Sequence, residues 1–302
     1  MIMRRMARGT RDILMRSHRF QRAVQAAAVR GCVPRSLWVR LTPAGLFTLH
    51  APDGSPFYYQ CAPDDVLGSS VVWTDLRHWE ETTHPLFYRM ARQARGFLDA
   101  GAFSGLYTLL ACQANPNLRA VAVEPNPQTL PKLQRNVMVN SLERRVTVVP
   151  KALSGQAGRA QLAVPRYAAA ASLVRPVVSE RVVDVEVTTG DAVVGDLPID
   201  LVKIDVEGLE AEVLRGLGRT VAAHQPAVIA ECLDRPALDT LRATAKDLGY
   251  EYIHHFGPRG LTRVEPGFVP TWPHENFLIT ATPPVAEELV PVRRSGGRHG
   301  RQ

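Results

Sequence analysis

Apolar and polar positions change texture along this chain, and each change predicts a different element. From Thr10 to Arg30 the residues Ile13, Leu14, Phe20, Ala23, Val24 and Ala27 recur at roughly helical intervals, with Arg16, Arg19 and Arg22 between them. That spacing predicts one amphipathic helix. Residues 41–90 break into short apolar pieces, such as Gly45-Leu46-Phe47-Thr48-Leu49 and Val71-Val72-Trp73, with turn signals at Gly45, Pro52, Gly54 and Pro56. They read as a small strand-rich lead-in, followed by a helix from about His84 to Arg95. From Gly96 onward, short apolar runs alternate with helix-compatible segments: Phe97–Asp99, Gly105–Ala114, Ala120–Glu124, Gln128–Asn140, Val146–Pro150, Leu201–Asp205, Glu207–Leu217 and Ala227–Glu231. The alternation predicts a mostly parallel sheet with crossover helices, and ligands at the carboxyl ends of its strands. Residues 154–183, from Ser154-Gly155 through Tyr167 and Ser172, interrupt the alternation and are expected to face a substrate. The tail from Pro283 is rich in Pro, Gly and Arg, a composition that predicts disorder. The organisation is then a basic helical arm (1–40), a lead-in or lid (41–90), an α/β domain (91–282) and a basic tail (283–302).

Composition narrows the class. A chain of 302 residues with 45% hydrophobic and 22% charged side chains can bury a full core, which excludes collagen, coiled coil and wholesale disorder. No apolar run approaches the roughly 18 residues of a membrane-spanning helix. Cys32, Cys61, Cys112 and Cys232 form no CxxC pair, so neither a zinc site nor a disulfide framework is expected. A reducing, cytoplasmic setting follows, and the absence of an extended apolar h-region argues against export. The net charge of +7 sits at the ends: residues 1–40 hold ten arginines and one acid, Asp12, and residues 291–302 hold four arginines and none. The remaining body is mildly acidic. Basic ends suit solvated tails, or peripheral contact of the arm with an anionic membrane. An acidic body offers no groove for specific nucleic-acid binding.

Two motifs place chemistry on the sheet. Phe97-Leu98-Asp99-Ala100-Gly101-Ala102-Phe103-Ser104-Gly105 reads as a buried strand, a glycine turn and a helix start; Gly101 and Gly105 permit the turn and close approach of a ligand to the backbone. A dinucleotide fingerprint carries three glycines facing a pyrophosphate. Here there are two, and the strand ends in Asp99, which suits a cationic ligand portion. Ala120-Val121-Ala122-Val123-Glu124-Pro125-Asn126 then ends a second strand in an acid about twenty residues on, where a carboxylate can accept hydrogen bonds from ribose hydroxyls. The spacing fits NAD or S-adenosylmethionine, and Asp99 with two glycines favours the latter. The candidate cofactor residues are Asp99, Gly101, Phe103, Gly105, Glu124, Asn126 and Asp205; a helix cap or a surface charge is the structural alternative for each acid.

A third block, Lys203-Ile204-Asp205-Val206-Glu207-Gly208-Leu209-Glu210, is the most specific. With the glycine loop, Glu124-Pro125, the spaced Asn136 and Asn140, Thr189-Gly190-Asp191 and Glu231, it makes residues 80–280 resemble the FkbM family of S-adenosylmethionine-dependent methyltransferases. Two positions depart from that pattern: Ala102-Phe103-Ser104 lacks the family's loop asparagine, and Gly190 replaces a leucine. The resemblance implies a Rossmann-like class I methyltransferase sheet, seven-stranded and mostly parallel with helices on both faces. It also implies O-methylation of a hydroxyl on a sugar, glycolipid or polyketide-type small molecule.

Strand-end carboxylates are the expected catalytic groups. Asp205 is the first choice as cofactor-edge residue or base, with Glu207 and Glu231 as substrate orienters or alternative bases. Glu207 has a structural alternative as cap of a helix starting near Gly208, with Lys203 and Glu210 as an internal ion pair. Three converging acids also raise the question of Mg²⁺, though no metal is assigned. His78, His84, His254, His255 and His274 lie outside the cofactor strands, and His78, in Leu76-Arg77-His78-Trp79-Glu80-Glu81, is the histidine most suited to a lid. The competing function classes are a nucleotide-cofactor oxidoreductase on a similar sheet and a non-catalytic scaffold with a degenerate loop. Partner and oligomeric state beyond a small-molecule or glycoconjugate substrate are open.

Overall fold

A computed structural model describes residues 15, 17–38, 41–65, 67–165, 179–258, 260–271 and 275–284. The arm supplies α1 (His18–Val29) and the single turn α2 (Arg35–Trp38). The lead-in supplies the hairpin β1 (Gly45–His50) and β2 (Pro56–Cys61), then α3 (Gly68–Thr74) and α4 (Thr83–Ala91). Val71-Val72-Trp73, expected as a strand piece, belongs to α3. All three residues are fully buried, and a run that short carries no period to separate a buried strand from a buried helix.

The α/β part opens with β3 (Gly96–Ala100), α5 (Leu106–Ala114), β4 (Arg119–Val123), α6 (Leu130–Val139) and β5 (Val146–Val149). Three strands outside the main sheet follow: β6 (Ala152–Leu153), β7 (Gly158–Pro165) and β8 (Ser179–Thr188). Then come α7 (Gly190–Val194), β9 (Leu201–Ile204), α8 (Glu210–Arg215), α9 (Gly218–His224), β10 (Ala227–Glu231), α10 (Arg235–Asp247), β11 (Tyr252–Gly257), β12 (Gly260–Arg263) and β13 (Asn276–Thr280). The helix expected over Glu207–Leu217 starts at Glu210 because Glu207 and Gly208 both have positive φ, 57° and 113°, and it gives way to α9 after Gly216.

The main sheet runs β12-β11-β13-β10-β9-β3-β4-β5. Strands β10, β9, β3, β4 and β5 are mutually parallel, and β13 inserts antiparallel between β10 and β11. The expected seven strands are all there. The eighth, β12, is the outer arm of a hairpin with β11. Each central strand is buried on both faces, as β3 shows from Gly96 to Ala100, which is why these strands read as apolar runs instead of alternating patterns.

Side-chain alternation sorts the two faces. Leu98, Val202, Val228 and Phe277 join α7 to α10 in one apolar cluster. Phe97, Leu201, Ile229 and Leu278 face the other way, into a cluster shared with α4, α5, the hairpin and α3. The lead-in therefore shares a core with the sheet. The period of two then puts Asp99, Lys203, Glu231 and Asn276 on that second face, each two residues along its strand from an apolar member of that cluster or next to one in register.

The arm helix is anchored by its glutamines. Gln21 bonds the Ala44 backbone at both its N–H and its carbonyl, and Gln25 donates to the Thr48 and Val72 carbonyls. Val24 and Ala28 pack against the core while Arg19 and Arg22 stay exposed. Ile13, Leu14 and Arg16 lie outside the described residues. Among those described, no helix is long and apolar enough to cross a membrane.

Candidate functional site

A cleft of about 270 Å³ opens over the carboxyl ends of β3, β4, β9 and β10. At one end lies the glycine loop. Gly101 and Gly105 take φ of 82° and 86°, a region open to glycine and strained for other residues. At Gly101 the close approach is to protein: a Cβ would sit inside the contact distance of the Asp205 carbonyl oxygen. At Gly105 it would meet Leu133 Cδ1 at 2.6 Å. Both glycines thus let the loop pack on β9 and α6, where approach of a ligand was expected. The Gly101 and Ala102 amides both donate to the Val123 carbonyl at 3.0 Å, tying the loop to the end of β4.

Glu124 is fixed at the same end. Its Oε2 accepts the Phe103 amide at 2.8 Å and its Oε1 the Asn126 amide at 2.8 Å. Burial pushes its carboxyl above the usual range, and these amides with the Thr129 hydroxyl act in the opposite sense. Asp99 is also buried; its Oδ2 accepts the Thr108 amide at 3.0 Å and the Thr108 hydroxyl at 2.6 Å. It therefore caps the first turn of α5 while lining the cleft. Burial raises its pKa to about 6.

The other end is a polar cluster around Lys203. This side chain is 1% exposed, with Nζ 3.3 Å from Asp205 Oδ2 and 5.4 Å from the centroid of the Tyr107 ring. Its ion pair is thus with Asp205, not with Glu210, whose Oε1 instead accepts the Gly208 amide at 2.7 Å. Oxygens of Asp205, Glu207 and Glu231 lie within 4.8 Å of one another. Burial pushes Asp205 up, but the Lys203 charge together with hydrogen bonds from Glu231 and Lys203 brings it below the usual carboxylate range, whereas the Asp205 charge and burial drive Glu231 far up. The two carboxyl groups titrate together as a pair, with Asp205 pushed down and Glu231 pushed up. Glu80, reaching in from the lead-in, accepts from Tyr107 Oη and from Asn276 Nδ2 at 2.9 Å. Trp79 covers Tyr107, their ring centroids 5.1 Å apart.

Asp99, Gly101, Phe103, Glu124, Asp205, Glu207 and Glu231 all line this one cleft. Gly105 and Asn126 do not. Gly105 is the cap of α5, and Asn126 turns its Oδ1 to the Gln128 amide at 2.9 Å, shaping the turn into α6. The residues missed are Trp79, Glu80 and Tyr107. In the Leu76–Glu81 block His78 points to Glu81, 2.9 Å away and exposed, while Trp79 and Glu80 line the cleft. A Trp-Glu-Glu string carries no signal for which acid turns inward. Lys203, expected only as the partner of Glu210, lines the cleft as well; its signal was a single charge in an apolar strand, and register with Asp99 puts it on the same face. His84 lies under Trp79, with Nδ1 2.8 Å from the Trp79 carbonyl oxygen; His254 and His255 are buried on β11. Among the described residues no histidine lines the cleft. His274, Tyr167 and Ser172 lie outside them, although Leu162 of β7 does face the cleft.

The spaced asparagines prove to be a docking device. Asn136 Oδ1 accepts the Gln60 amide at 2.7 Å while its Nδ2 donates to the Ser104 carbonyl at 2.9 Å. Asn140 exchanges both kinds of bond with the Tyr58 backbone, at 2.8 and 2.7 Å. Positions i and i+4 of a helix thereby satisfy positions i and i+2 of the open edge of β2, because roughly 6 Å separates each pair. Ser104, at the departure in the loop, bonds Tyr59 Oη at 2.8 Å, and that hydroxyl donates to buried Asp65. The loop is therefore held by the lead-in. Gly190, the other departure, leaves the room that the Leu217 side chain fills.

A sheet of this strand order, with an acid closing each of its first two parallel strands over one cleft, is that of the Rossmann-like methyltransferases. The family model of the methyltransferase FkbM domain matches residues 99–252, and the chain belongs to that family. No curated protein matches it. Among solved structures it is similar to methyltransferase FkbM from Methylobacillus flagellatus KT, at 19% identity over 70% of this chain and 52% of that one, with a TM-score of 0.44. The chain thus spans about half the length of that relative. An O-methyltransferase from Bacillus cereus in complex with SAH is similar at 12% identity over 64% and 77% of the two chains, TM-score 0.37. A precorrin-6y C5,15-methyltransferase from Geobacter metallireducens GS-15 shows 17% identity over 64% and 83%, TM-score 0.38.

Proposed function

We propose that this protein is an S-adenosylmethionine-dependent O-methyltransferase acting in the cytoplasm on a hydroxyl of a sugar, glycolipid or polyketide-type small molecule. The observation that carries the reading is Glu124: a buried carboxyl group at the end of β4 that lines the cleft and has each oxygen held by a backbone amide, from Phe103 and from Asn126. A carboxylate in that place is the acceptor that the two hydroxyls of a ribose diol need. Val123, Pro125 and Leu153 supply an apolar wall for a base beside it, and Asp99 stands where a cationic amino-acid portion would lie. S-adenosylmethionine, when bound, supplies an electrophilic methyl group on sulfur.

The chain's own residues do the rest. Trp79 and Tyr107 line the cleft beside Glu80, whose carboxyl group is held by Tyr107 and Asn276 at the place an acceptor hydroxyl would take. The Asp205–Glu231 pair takes the proton that the hydroxyl gives up, at the carboxyl group of Asp205 beside Lys203. Holding the hydroxyl oxygen in line supplies much of the rate. Basic arm and tail are read as solvated ends that can touch an anionic membrane surface.

Calorimetry with S-adenosylhomocysteine tests the reading. The wild type should bind it and give no heat with NADH. Glu124→Ala removes two hydrogen bonds to a charged group, so affinity should fall about 100-fold or more. Binding of NADH in place of S-adenosylhomocysteine would make the protein an oxidoreductase, and unchanged affinity in Glu124→Ala would remove the ribose assignment.

A further inference from the structure

Three acids with oxygens within 4.8 Å of one another, Asp205, Glu207 and Glu231, have the hard-ligand chemistry that holds Mg²⁺ or Mn²⁺. They also repel one another, so the cluster needs a cation from somewhere. Lys203 is already inside it. Its side chain is 1% exposed, its Nζ is 3.3 Å from Asp205 Oδ2, and the Tyr107 ring lies 5.4 Å away on the approach. Register with Asp99 on the neighbouring strand fixes the side of the sheet from which it enters. A strand interior gives a lysine stem no room to swing away to solvent.

We propose that the Lys203 ammonium is the built-in cation of the acceptor end, standing in for a divalent metal and holding Asp205 in place, so that the site needs none. The proposal deepens the methyltransferase reading and rests on it for the role of the acceptor end. A divalent ion at bonding distance from Asp205 would lie within a few ångströms of the ammonium, and like charges that close repel one another. The 3.3 Å ion pair with Asp205 keeps the ammonium inside the cluster. Lys203 is a positioning residue here: it acts through Asp205.

The test needs no acceptor molecule. Mn²⁺ is titrated into the purified full chain, with water-proton relaxation and the thermal midpoint as readouts. The wild type should show no saturable Mn²⁺ binding up to 10 or so mM, an estimate scaled from weak oxygen-ligand sites. Lys203→Met keeps the length of the stem and removes the charge; it should gain a site with Kd on the order of 10⁻⁴–10⁻³ M and a midpoint that rises with Mn²⁺. Lys203→Arg, which keeps the charge, should behave as the wild type, whereas a purely packing role for the stem would leave Lys203→Met without a Mn²⁺ site as well. Saturable Mn²⁺ binding by the wild type that Asp205→Asn abolishes would overturn the proposal even if neither lysine variant folds. So would a folded Lys203→Met protein that gains no affinity. S-adenosylhomocysteine titrated into the same wild-type sample reports on the methyltransferase reading separately, since its binding does not involve Mn²⁺.

Discussion

The two ends of the cleft are built in different ways. At the cofactor end, the contacts are made by backbone and by residues close in sequence: Phe103 and Asn126 amides on Glu124, Thr108 on Asp99, loop amides on the Val123 carbonyl. At the acceptor end, Glu80, Tyr107, Lys203, Asp205, Glu231 and Asn276 arrive from six elements or connections, and every contact among them is between side chains. The first kind of site is fixed once a strand–turn–helix unit folds. The second exists only when the whole sheet and the lead-in are assembled.

That contrast should be broken most severely at Gly101, the point where the two ends touch. Alanine there would place a Cβ against the Asp205 carbonyl oxygen at a φ of 82°. Relief requires the loop and β9 to part, so Gly101→Ala should lower stability by about 3–5 kcal/mol, as strain and overpacking together do. It should also abolish S-adenosylhomocysteine binding in calorimetry. A Gly101→Ala protein with the parent's urea midpoint and affinity would show that the glycine serves only the turn.

The same contrast decides what the sequence revealed. The parallel sheet, the glycine turn and the acids at 99, 124, 205 and 231 are legible because a period of two and a strand–turn–helix rhythm are local properties. The family block around Lys203 adds specificity to that rhythm. Glu80 was not legible, since its inward turn depends on a positive φ of 40° and on Tyr107 and Asn276 far along the chain. The helix start at Glu210 was misjudged for a related reason: Glu207, a non-glycine residue, sits at positive φ and sends its carboxyl group to the cleft instead of capping. Asn136 and Asn140 carry a spacing that any solvated helix face could show, and only the edge of β2 beside them gives it meaning.

Asp99 belongs to both ends, capping α5 and facing Lys203, and its titration should be visible in stability. Burial lifts its pKa from 3.8 to about 6. An acid whose folded pKa is raised favours folding below its unfolded pKa, and that contribution is lost as pH climbs through the folded value. Asp99→Asn keeps an acceptor for Thr108 and does not titrate. Between pH 4 and pH 7 its stability relative to the parent should therefore rise by up to about 3 kcal/mol in urea unfolding. A difference that stays flat over that window would mean that Lys203 fully offsets the burial of Asp99.

The smallest effect is expected at His78, and its smallness is what makes it useful. The imidazole is 64% exposed and meets only Glu81, an equally exposed acid three residues on. Exposed pairs of this kind are worth little, because solvent screens them and two free side chains must be held still. His78→Ala should change stability by less than about 0.5 kcal/mol. It should also leave S-adenosylhomocysteine affinity within two-fold, a span of about 0.4 kcal/mol. The backbone on either side already sets the course of the chain: Trp79 is clamped over Tyr107 and His84, and Glu80 is bonded by Tyr107 and Asn276. If His78→Ala instead weakened binding ten-fold or more, the lead-in would have to reorganise over the cleft on binding. Its exposed rim would then belong to the acceptor end as fully as Glu80 does.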